Sequence, residues 1–394
     1  MSTFKLASRL DGVSESATLK LNALVQSMRE QKIDVINLTA GEPDFNVPDL
    51  AKQAAIRAVN ENKSKYTPVA GIAELRAAIV AKTNLQQPQS HWKASNVCVS
   101  NGGKQACFNA MMSLLNPGDE VLIPSPFWLS YPEIVKISGA IPKFIQAPAS
   151  QRFKITPAQL AASIGPENTK VKLLILNSPS NPTGVMYTRE EFQALGQVLR
   201  ETPGAKKIWI LSDEIYDRIV FDGNTFCSFL AACPDLKDRT ITVNGMSKSA
   251  FMTGWRIGWS VAPERLTQGI MTLQGQSTSG INAPAQWASL AALQMNESAF
   301  RDQVQSFNRR CNLALEILSK TRKLEVVRPD GAFYFFLGIR EDSFAFAEKL
   351  LQEAKVAVVP GAPFGEPEFV RISFALDDES LREGCNRIVK FLNQ

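Results

Sequence analysis

TITVNGMSKSAFMTGWRIG, residues Thr240–Gly258, holds a β-rich run at Thr240–Asn244 and opens another at Arg256–Ala262. Towards the N-terminus, runs of the same kind recur at Val97–Ser100, Glu120–Pro124, Pro142–Gln146, Val171–Asn177 and Lys207–Ser212, with helix-like stretches at 104–115, 157–163 and 188–200 filling most gaps. Strand, helix, strand in succession predicts a mostly parallel sheet covered by helices on both faces. Towards the C-terminus the pattern changes to a long helical stretch over 263–319, strands near 324–327, 332–337 and 369–375, and helices near 343–354 and 379–392. Before the sheet, Leu19, Leu21, Leu24, Val25 and Met28 space an amphipathic helix over 16–31, a short strand-like run follows at Asp34–Leu38, and helical patterns cover 49–61 and 72–85. The expected fold class is α/β, with a large domain over 46–290 whose mostly parallel mixed sheet is flanked by helices. A smaller α+β domain over 291–394 is expected to take in an N-terminal segment, 1–45. There is no internal repeat or low-complexity segment.

The 394 residues suffice to bury a large core without disulfides. Forty-three basic and 38 acidic residues leave a formal charge of only +5, and no dense Lys/Arg block suggests a nucleic-acid or membrane partner. The six cysteines, Cys98, Cys107, Cys227, Cys233, Cys311 and Cys385, form no close pair and fit no zinc template, so free thiols in a reducing, cytoplasmic setting are expected, with no metal. The N-terminus contains no apolar signal core, and no run is long and apolar enough to span a bilayer. The single histidine, His91, lies in a loop-like stretch with nothing around it that suggests a site, which leaves acid–base chemistry to other groups.

In open parallel sheets, ligands sit beyond the carboxyl ends of the strands. The polar residues that follow the expected strands are Asn101-Gly102-Gly103-Lys104, Trp128, Asn177–Gly184, Asp213 with Tyr216, and Ser247-Lys248, and topology brings them to one edge. Two glycines between a strand and a helix let backbone N–H groups approach an anion, although most such pairs are plain turns. Asp213 is either a helix cap or the partner of a protonated heterocycle nitrogen. Lys248 stands among Gly245, Ser247 and Ser249 and the apolar Met246, Ala250 and Phe251, surroundings that lower an amine's pKa as a Schiff-base lysine requires. Arg256, in TGWRIG, has space for a guanidinium that clamps a phosphate.

With TAGEPDF (Thr39–Phe45), KYTPVAG (Lys65–Gly71), SNGGKQ (Ser100–Gln105), SPFWLSYPE (Ser125–Glu133), NSPSNPTG (Asn177–Gly184), SDEIYD (Ser212–Asp217), SKSAFMTGWRIG and FVRISFA (Phe369–Ala375) in this order, the chain resembles the class I/II aminotransferases, pyridoxal 5′-phosphate (PLP) enzymes of fold type I, over nearly its whole length. The resemblance implies that Lys248 joins the cofactor aldehyde and then moves the substrate proton. It implies that Asp213 holds the pyridinium proton, and that Asn181 and Tyr216 hydrogen-bond the ring's phenolic oxygen. Trp128 would stack on the ring. Gly102, Gly103, the backbone of Lys104, Ser247 and Arg256 would form the phosphate site. Tyr66 would reach the phosphate of a second subunit, which makes a homodimer with sites at its interface. Arg371 would clamp the substrate α-carboxylate, with Gly41 and Asn181 assisting. The partners implied are an amino acid and a 2-oxo acid.

Within the family, GGKQ, SPFWLSYPE, QGQSTSG and AFMTGWRIG are similar to the bacterial aspartate aminotransferases of the Iγ type. That likeness implies ping-pong transfer from aspartate to 2-oxoglutarate, with Lys104 meeting the substrate's distal carboxylate and Trp128 also among the substrate-binding residues. A lysine in a helix's first turn is unfavourable without an anionic partner, which agrees. One stretch departs: Ser14-Glu15-Ser16-Ala17-Thr18 has Ser14 where the subgroup usually has lysine, which puts prephenate as a substrate in doubt, and Arg9 is the nearest basic alternative. Phe251 also stands where a smaller residue is usual. The rival enzymes on the same fold are aminotransferases for aromatic or neutral amino acids, decarboxylases and β-lyases. A transcription regulator with an aminotransferase-like domain would need a DNA-binding domain ahead of TAGEPDF, where only about 40 residues stand. A nucleotide-dependent dehydrogenase would need a GxGxxG turn, which is missing.

Overall fold

Seven strands make the larger sheet, and the apolar ones lie at its middle. The computed structural model describes residues 5–14, 17–167 and 169–394. After a two-residue strand β1 (Ile36–Asn37) come β2 (Val97–Asn101), β3 (Glu120–Ser125), β4 (Ile141–Gln146), β5 (Val171–Asn177), β6 (Trp209–Asp213), β7 (Thr240–Gly245) and β8 (Ile257–Val261). Their spatial order is β2-β8-β7-β6-β5-β3-β4. β5, β6 and β7 bury Leu174, Leu176, Ile210, Leu211, Ile241 and Val243 because helices cover both faces there. β4 forms one rim and exposes Ile141 and Phe144, with Pro142 and Lys143 between them to blunt the edge.

Every neighbouring pair is parallel except those of β8, which runs antiparallel to both β7 and β2. The sheet is therefore mixed and mostly parallel, as the sequence predicts. The reversal is made by the helical turns Met246–Ser249 and Thr253–Trp255 and by Arg256, whose φ of 57° is left-handed, so β8 starts at Ile257 rather than at Arg256. The chain leaves β3 outward to β4 but leaves β5 inward to β6. Their carboxyl ends diverge, which opens the crevice that such a reversal of strand order creates.

The smaller sheet contains β9 (Glu325–Val326), β10 (Tyr334–Gly338), β12 (Val359–Pro360) and β13 (Phe369–Ser373), all antiparallel in the order β12-β13-β10-β9, while β11 (Val356–Ala357) pairs parallel with β1. That pairing attaches the N-terminal segment to the C-terminal third. Helices Arg301–Leu318 and Asp378–Asn393 pack on each other beside this sheet.

The stretch expected as one helix over 263–319 is three: Glu264–Gly275, Ala283–Leu293 and Arg301–Leu318. Asn282 starts the second by accepting the Ala285 N–H at 2.9 Å, and Asn296 accepts the Ser298 N–H at 2.9 Å just before the third. The first helix runs Ala17–Glu30, and Glu15 and Ser16 lie outside the described residues. A helix at Ser130–Ile137 and the short strands β11 and β12 are additions to the sequence reading. All six cysteines are buried and free, His91 is exposed in a loop, and no helix among the described residues is long and apolar enough to cross a membrane.

Immediately after β6, Glu214 turns away from the sheet edge into the core. Its Oε1 accepts the Ser212 hydroxyl at 2.8 Å, the Ser228 hydroxyl at 2.7 Å and the Phe229 N–H at 3.3 Å, while Oε2 is buried without a partner. Burial, helped by the nearby Asp217 carboxylate, pushes this carboxyl up to about 7 from 4.5, against the pull of the two hydroxyls. A carboxyl raised in the folded state contributes stability that is fully present below its unfolded value and is gone once the pH has risen through the folded one. Urea unfolding should therefore show the protein losing about 3 kcal/mol between acid pH and pH ~8 from this group. Glu214→Gln should flatten that decline, and an unchanged pH slope would remove Glu214 as its source.

Candidate active site

The strand ends converge on a cavity of about 620 Å³ lined by Gly41, Gly103, Lys104, Trp128, Asn181, Asp213, Tyr216, Ser247, Lys248, Arg256 and Arg371. Ten of these come from the loops, turns and helix start that follow β1, β2, β3, β5, β6 and β7, or from β6 itself; Arg371 comes from β13 of the smaller sheet. The cavity thus lies where the two sheets face each other.

Lys248 reaches in from the one-turn helix after β7 and donates to the Gly41 carbonyl. Its amine is lowered from 10.5 to about 8, chiefly by burial, opposed by the Glu42 carboxylate and reinforced by Arg371 and Arg256. At pH 7 about one amine in ten is then neutral, against about one in three thousand for a solvated lysine. Asp213 ends β6 and is buried. Its Oδ1 accepts the Ile215 N–H at 3.1 Å, and its Oδ2 accepts the Tyr131 hydroxyl at 2.7 Å and lies 3.9 Å from Cys107 Sγ. Burying a carboxylate costs several kcal/mol, and each hydrogen bond to it returns about 1.5–3 kcal/mol. Burial accordingly raises its pKa from 3.8 to about 6, and Tyr131, Ile215 and Cys107 hold it from going higher.

Arg371 is 2 % exposed. Its Nη1 donates to Asn181 Oδ1 at 3.1 Å, its Nη2 donates to the Thr39 carbonyl at 2.9 Å, and its Nε has no partner. The guanidinium lies 4.5 Å from the Tyr334 ring centre, and among the described residues no carboxylate pairs with it. Burial lowers its pKa, with Tyr334 and Tyr216 acting against. A desolvated cation held by neutral acceptors is a ready receptor for a carboxylate. Asn181 is itself braced, since its N–H donates to Asn177 Oδ1 at 2.9 Å and the Asn177 amide donates to the Asp213 carbonyl at 3.0 Å.

At the opposite wall Gly102 caps helix Gly103–Leu114 with φ 85° and ψ 165°, a region reserved for glycine. A side chain there would strike the Arg256 guanidinium, and one at Gly258 would strike the backbone of Gly102 and Gly103. These glycines let the helix N-terminus and Arg256 share one space. Arg256 donates to the Thr253 carbonyl at 2.8 Å and to the Asn101 carbonyl at 3.3 Å. Lys104 Nζ lies 5.2 Å from the Trp128 ring centre, and partial burial with Arg256 nearby lowers its pKa.

Gly102 shapes the cavity without lining it, and Tyr66, 99 % exposed, lies outside it. Arg9 sits on the exposed turn Ser8–Leu10 and does not line the cavity, and the Ser14 N–H donates to Glu133 at 2.8 Å. Phe251 takes φ 60° and is buried. Sequence reasoning missed Tyr131 and Cys107 under Asp213, and Tyr334, whose hydroxyl is 3.0 Å from that of Tyr216. Tyr131 was visible in SPFWLSYPE, three residues beyond Trp128, but nothing local shows that it meets a carboxylate 82 residues away.

A lysine with a lowered pKa, a buried carboxylate, an aromatic face and an arginine beside a helix N-terminus line one cavity. Residues 33–388 match the family model for aminotransferases of class I and II, and the chain belongs to that family. It is 39% identical to an aspartate aminotransferase of Streptomyces avermitilis over 99% of this chain and 97% of that one. It is 42% identical to an aspartate/prephenate aminotransferase of Cereibacter sphaeroides over 98% of each. The aspartate aminotransferase structure from Rhizobium meliloti superposes with a TM-score of 0.93 at 38% identity, covering 99% of both chains. That from Thermus thermophilus with maleate gives 0.90 at 38% identity, covering 98% of this chain and all of that one.

The close approach at Gly102 can be measured. Gly102→Ala should cost about 1–3 kcal/mol of unfolding free energy, from backbone strain alone. It should also displace Arg256, visible as weakened binding of inorganic phosphate. Retention of both stability and phosphate binding would show that Arg256 does not approach Gly102 closely.

Proposed function

We propose that this protein is a PLP-dependent aminotransferase that moves the α-amino group of aspartate to 2-oxoglutarate in two half-reactions, with ping-pong kinetics. The observation that carries the reading is the convergence of the Lys248 amine, the Asp213 carboxylate and the unpaired Arg371 guanidinium on one cavity. These residues fit the cofactor, and the glycine approach beside Arg256 is a cradle that any Cβ would fill. Bound, PLP would supply an aldehyde to take up the amino group and a protonated ring to receive the electron pair left at the donor Cα.

The chain's own groups would do the rest. Lys248 Nζ would hold the aldehyde and then carry the proton to and from Cα, which its lowered pKa favours near neutral pH. Asp213 would keep the ring nitrogen protonated, and Trp128 would cover one ring face. Asn181 and Tyr216 would donate to the phenolic oxygen. Gly103, Lys104 through its N–H, Ser247 and Arg256 would hold the phosphate at the helix N-terminus, with Gly102 giving the close approach. Arg371, steadied by Asn181 and Tyr334, would grip the α-carboxylate beside Gly41.

The acidic substrate is supported by a second cation, Lys104 near Trp128, and by the names of the relatives; the Thermus thermophilus protein was solved with maleate, a dicarboxylate. Ser14 in place of lysine argues against prephenate. A homodimer is supported by Tyr66 and by the apolar Leu50, Ile56 and Val59, exposed near it in the chain. The two sheets support a large domain over 46–290 and a small one formed by 1–45 and 291–394. Six free, buried thiols support the cytoplasmic setting.

Lys248→Ala should abolish the visible absorbance of the PLP-loaded protein and all turnover; a variant that keeps the absorbance would reject the assignment of the lysine. Lys104→Ala should lower kcat/KM for aspartate and glutamate tenfold or more and leave neutral donors nearly unchanged. Equal losses for all donors in a panel with 2-oxoglutarate would make Lys104 structural, and pyruvate with ammonia from a cysteine conjugate would indicate a β-lyase instead.

A further inference from the structure

Tyr131 lies on helix Ser130–Ile137, one turn beyond Trp128, and is 2 % exposed. Two contacts distinguish it from an ordinary core tyrosine. Its hydroxyl donates to Asp213 Oδ2 at 2.7 Å, and its ring meets the Trp128 indole edge-on at 5.1 Å and 85°. One residue thus touches both the group proposed to face the cofactor's ring nitrogen and the group proposed to cover its face. We propose that Tyr131 is a positioning residue, which holds Asp213 as an aimed anion and fixes the tilt of Trp128. The inference rests on the PLP reading and assigns a role that the reading does not require.

The surroundings of Asp213 make the hydroxyl decisive. No lysine or arginine pairs with this carboxylate among the described residues. Its neighbours are Tyr131, Cys107 and Tyr216, all uncharged at neutral pH because burial, together with the Asp213 charge, raises their pKa values; for Tyr216 the Tyr334 hydroxyl adds to this. The cations of the cavity, Lys104, Lys248, Arg256 and Arg371, are not hydrogen-bonded to it. Its charge is held by three donors: the Ile215 N–H, the Cys107 thiol at 3.9 Å and the Tyr131 hydroxyl. The first is backbone, and the second is long for a hydrogen bond and comes from a weak donor. Removing the third leaves a buried carboxylate with one good donor, which favours the protonated form. A protonated Asp213 could not hold a proton on a ring nitrogen.

The bland alternative is that Asp213 merely satisfies the Tyr131 hydroxyl. In that case removal of the hydroxyl would be felt in stability and not in cofactor binding. The test is a double-mutant cycle on whole protein, with PLP itself as the probe, its affinity measured by absorbance against pH. Tyr131→Phe keeps the ring and the edge contact. It should weaken PLP binding tenfold or more at neutral pH and move the acid limb of binding upward by about one pH unit. In the Asp213→Asn background the same substitution should change little. An unchanged limb and affinity, or an equal loss in the Asp213→Asn background, would overturn the proposal. If Tyr131→Phe does not fold, ring-fluorinated tyrosine at position 131, a stronger donor of the same shape, should move the limb downward, and no movement would overturn it. Wild-type protein that fails to bind PLP would sink the functional reading and this one together, whereas normal wild-type binding with an inert Tyr131→Phe sinks this one alone.

Discussion

A guanidinium buried without a carboxylate is the constraint around which the rest of this molecule is arranged. Arg371 gives its Nη donors to an amide oxygen and a carbonyl, with an Nε left unpaired. Pairing it with an internal Asp or Glu would be the cheaper fold, since truncating or omitting one partner of a buried pair is costly. The chain forgoes that pairing. It brings Asn181 from the large sheet and Thr39 from the N-terminal segment to the same side chain, so the two sheets meet at a charge that remains open to an anionic ligand. The low dielectric that makes this arrangement costly also makes an arriving carboxylate bind strongly.

The same desolvation sets the other two groups, with opposite consequences. It lowers the Lys248 amine towards neutrality and raises the Asp213 carboxyl towards protonation. In the proposed role Lys248 would react uncharged, and for that burial alone suffices. In the proposed role Asp213 would have to stay charged, and burial then has to be offset by donors. This asymmetry explains why the floor of Asp213 is crowded with Tyr131, Cys107 and the Ile215 N–H, while the strongest contact of Lys248 is a single carbonyl.

How much of this was legible in the sequence follows from how local each cause is. The alternation of apolar strands and helices fixes the large sheet, and strand-end polar residues mark the crevice, because both depend on short periodic patterns. The lysine, the strand-end aspartate and the arginine after a glycine could each be picked out by residue type and place. The antiparallel β8 could not, because strand direction depends on the reversal at Met246–Arg256 and not on strand composition. The breaks in 263–319 were misread because apolar periodicity continues across capping asparagines whose bonds are single side-chain events. Tyr131 and Tyr334 escaped because a buried tyrosine looks like core until its hydroxyl partner is known, and both partners are far away in the chain.

The loop Gly41–Phe45 shows how such distant contacts build one device. Gly41 receives the Lys248 amine, and Glu42 accepts the Thr253 hydroxyl at 2.8 Å. Asp44 takes both Nη groups of Arg310 at 2.8 and 2.9 Å, and the Nε of Arg310 reaches Asp378 at 3.0 Å. Phe45 lies between Phe251 and Phe307, with ring centres 5.3 and 5.2 Å away. Phe251 follows the lysine-bearing turn, and Phe307 and Arg310 belong to helix Arg301–Leu318 beside the smaller sheet. Four residues of this loop therefore fasten the Lys248 amine to the helix layer that accompanies Arg371. A forked arginine and a packed ring resist displacement in different directions, one along the hydrogen bonds and the other through steric contact. Together they hold the two halves of the cavity in register, so that, in the proposed reaction, an anion gripped on one sheet would arrive at the amine carried by the other.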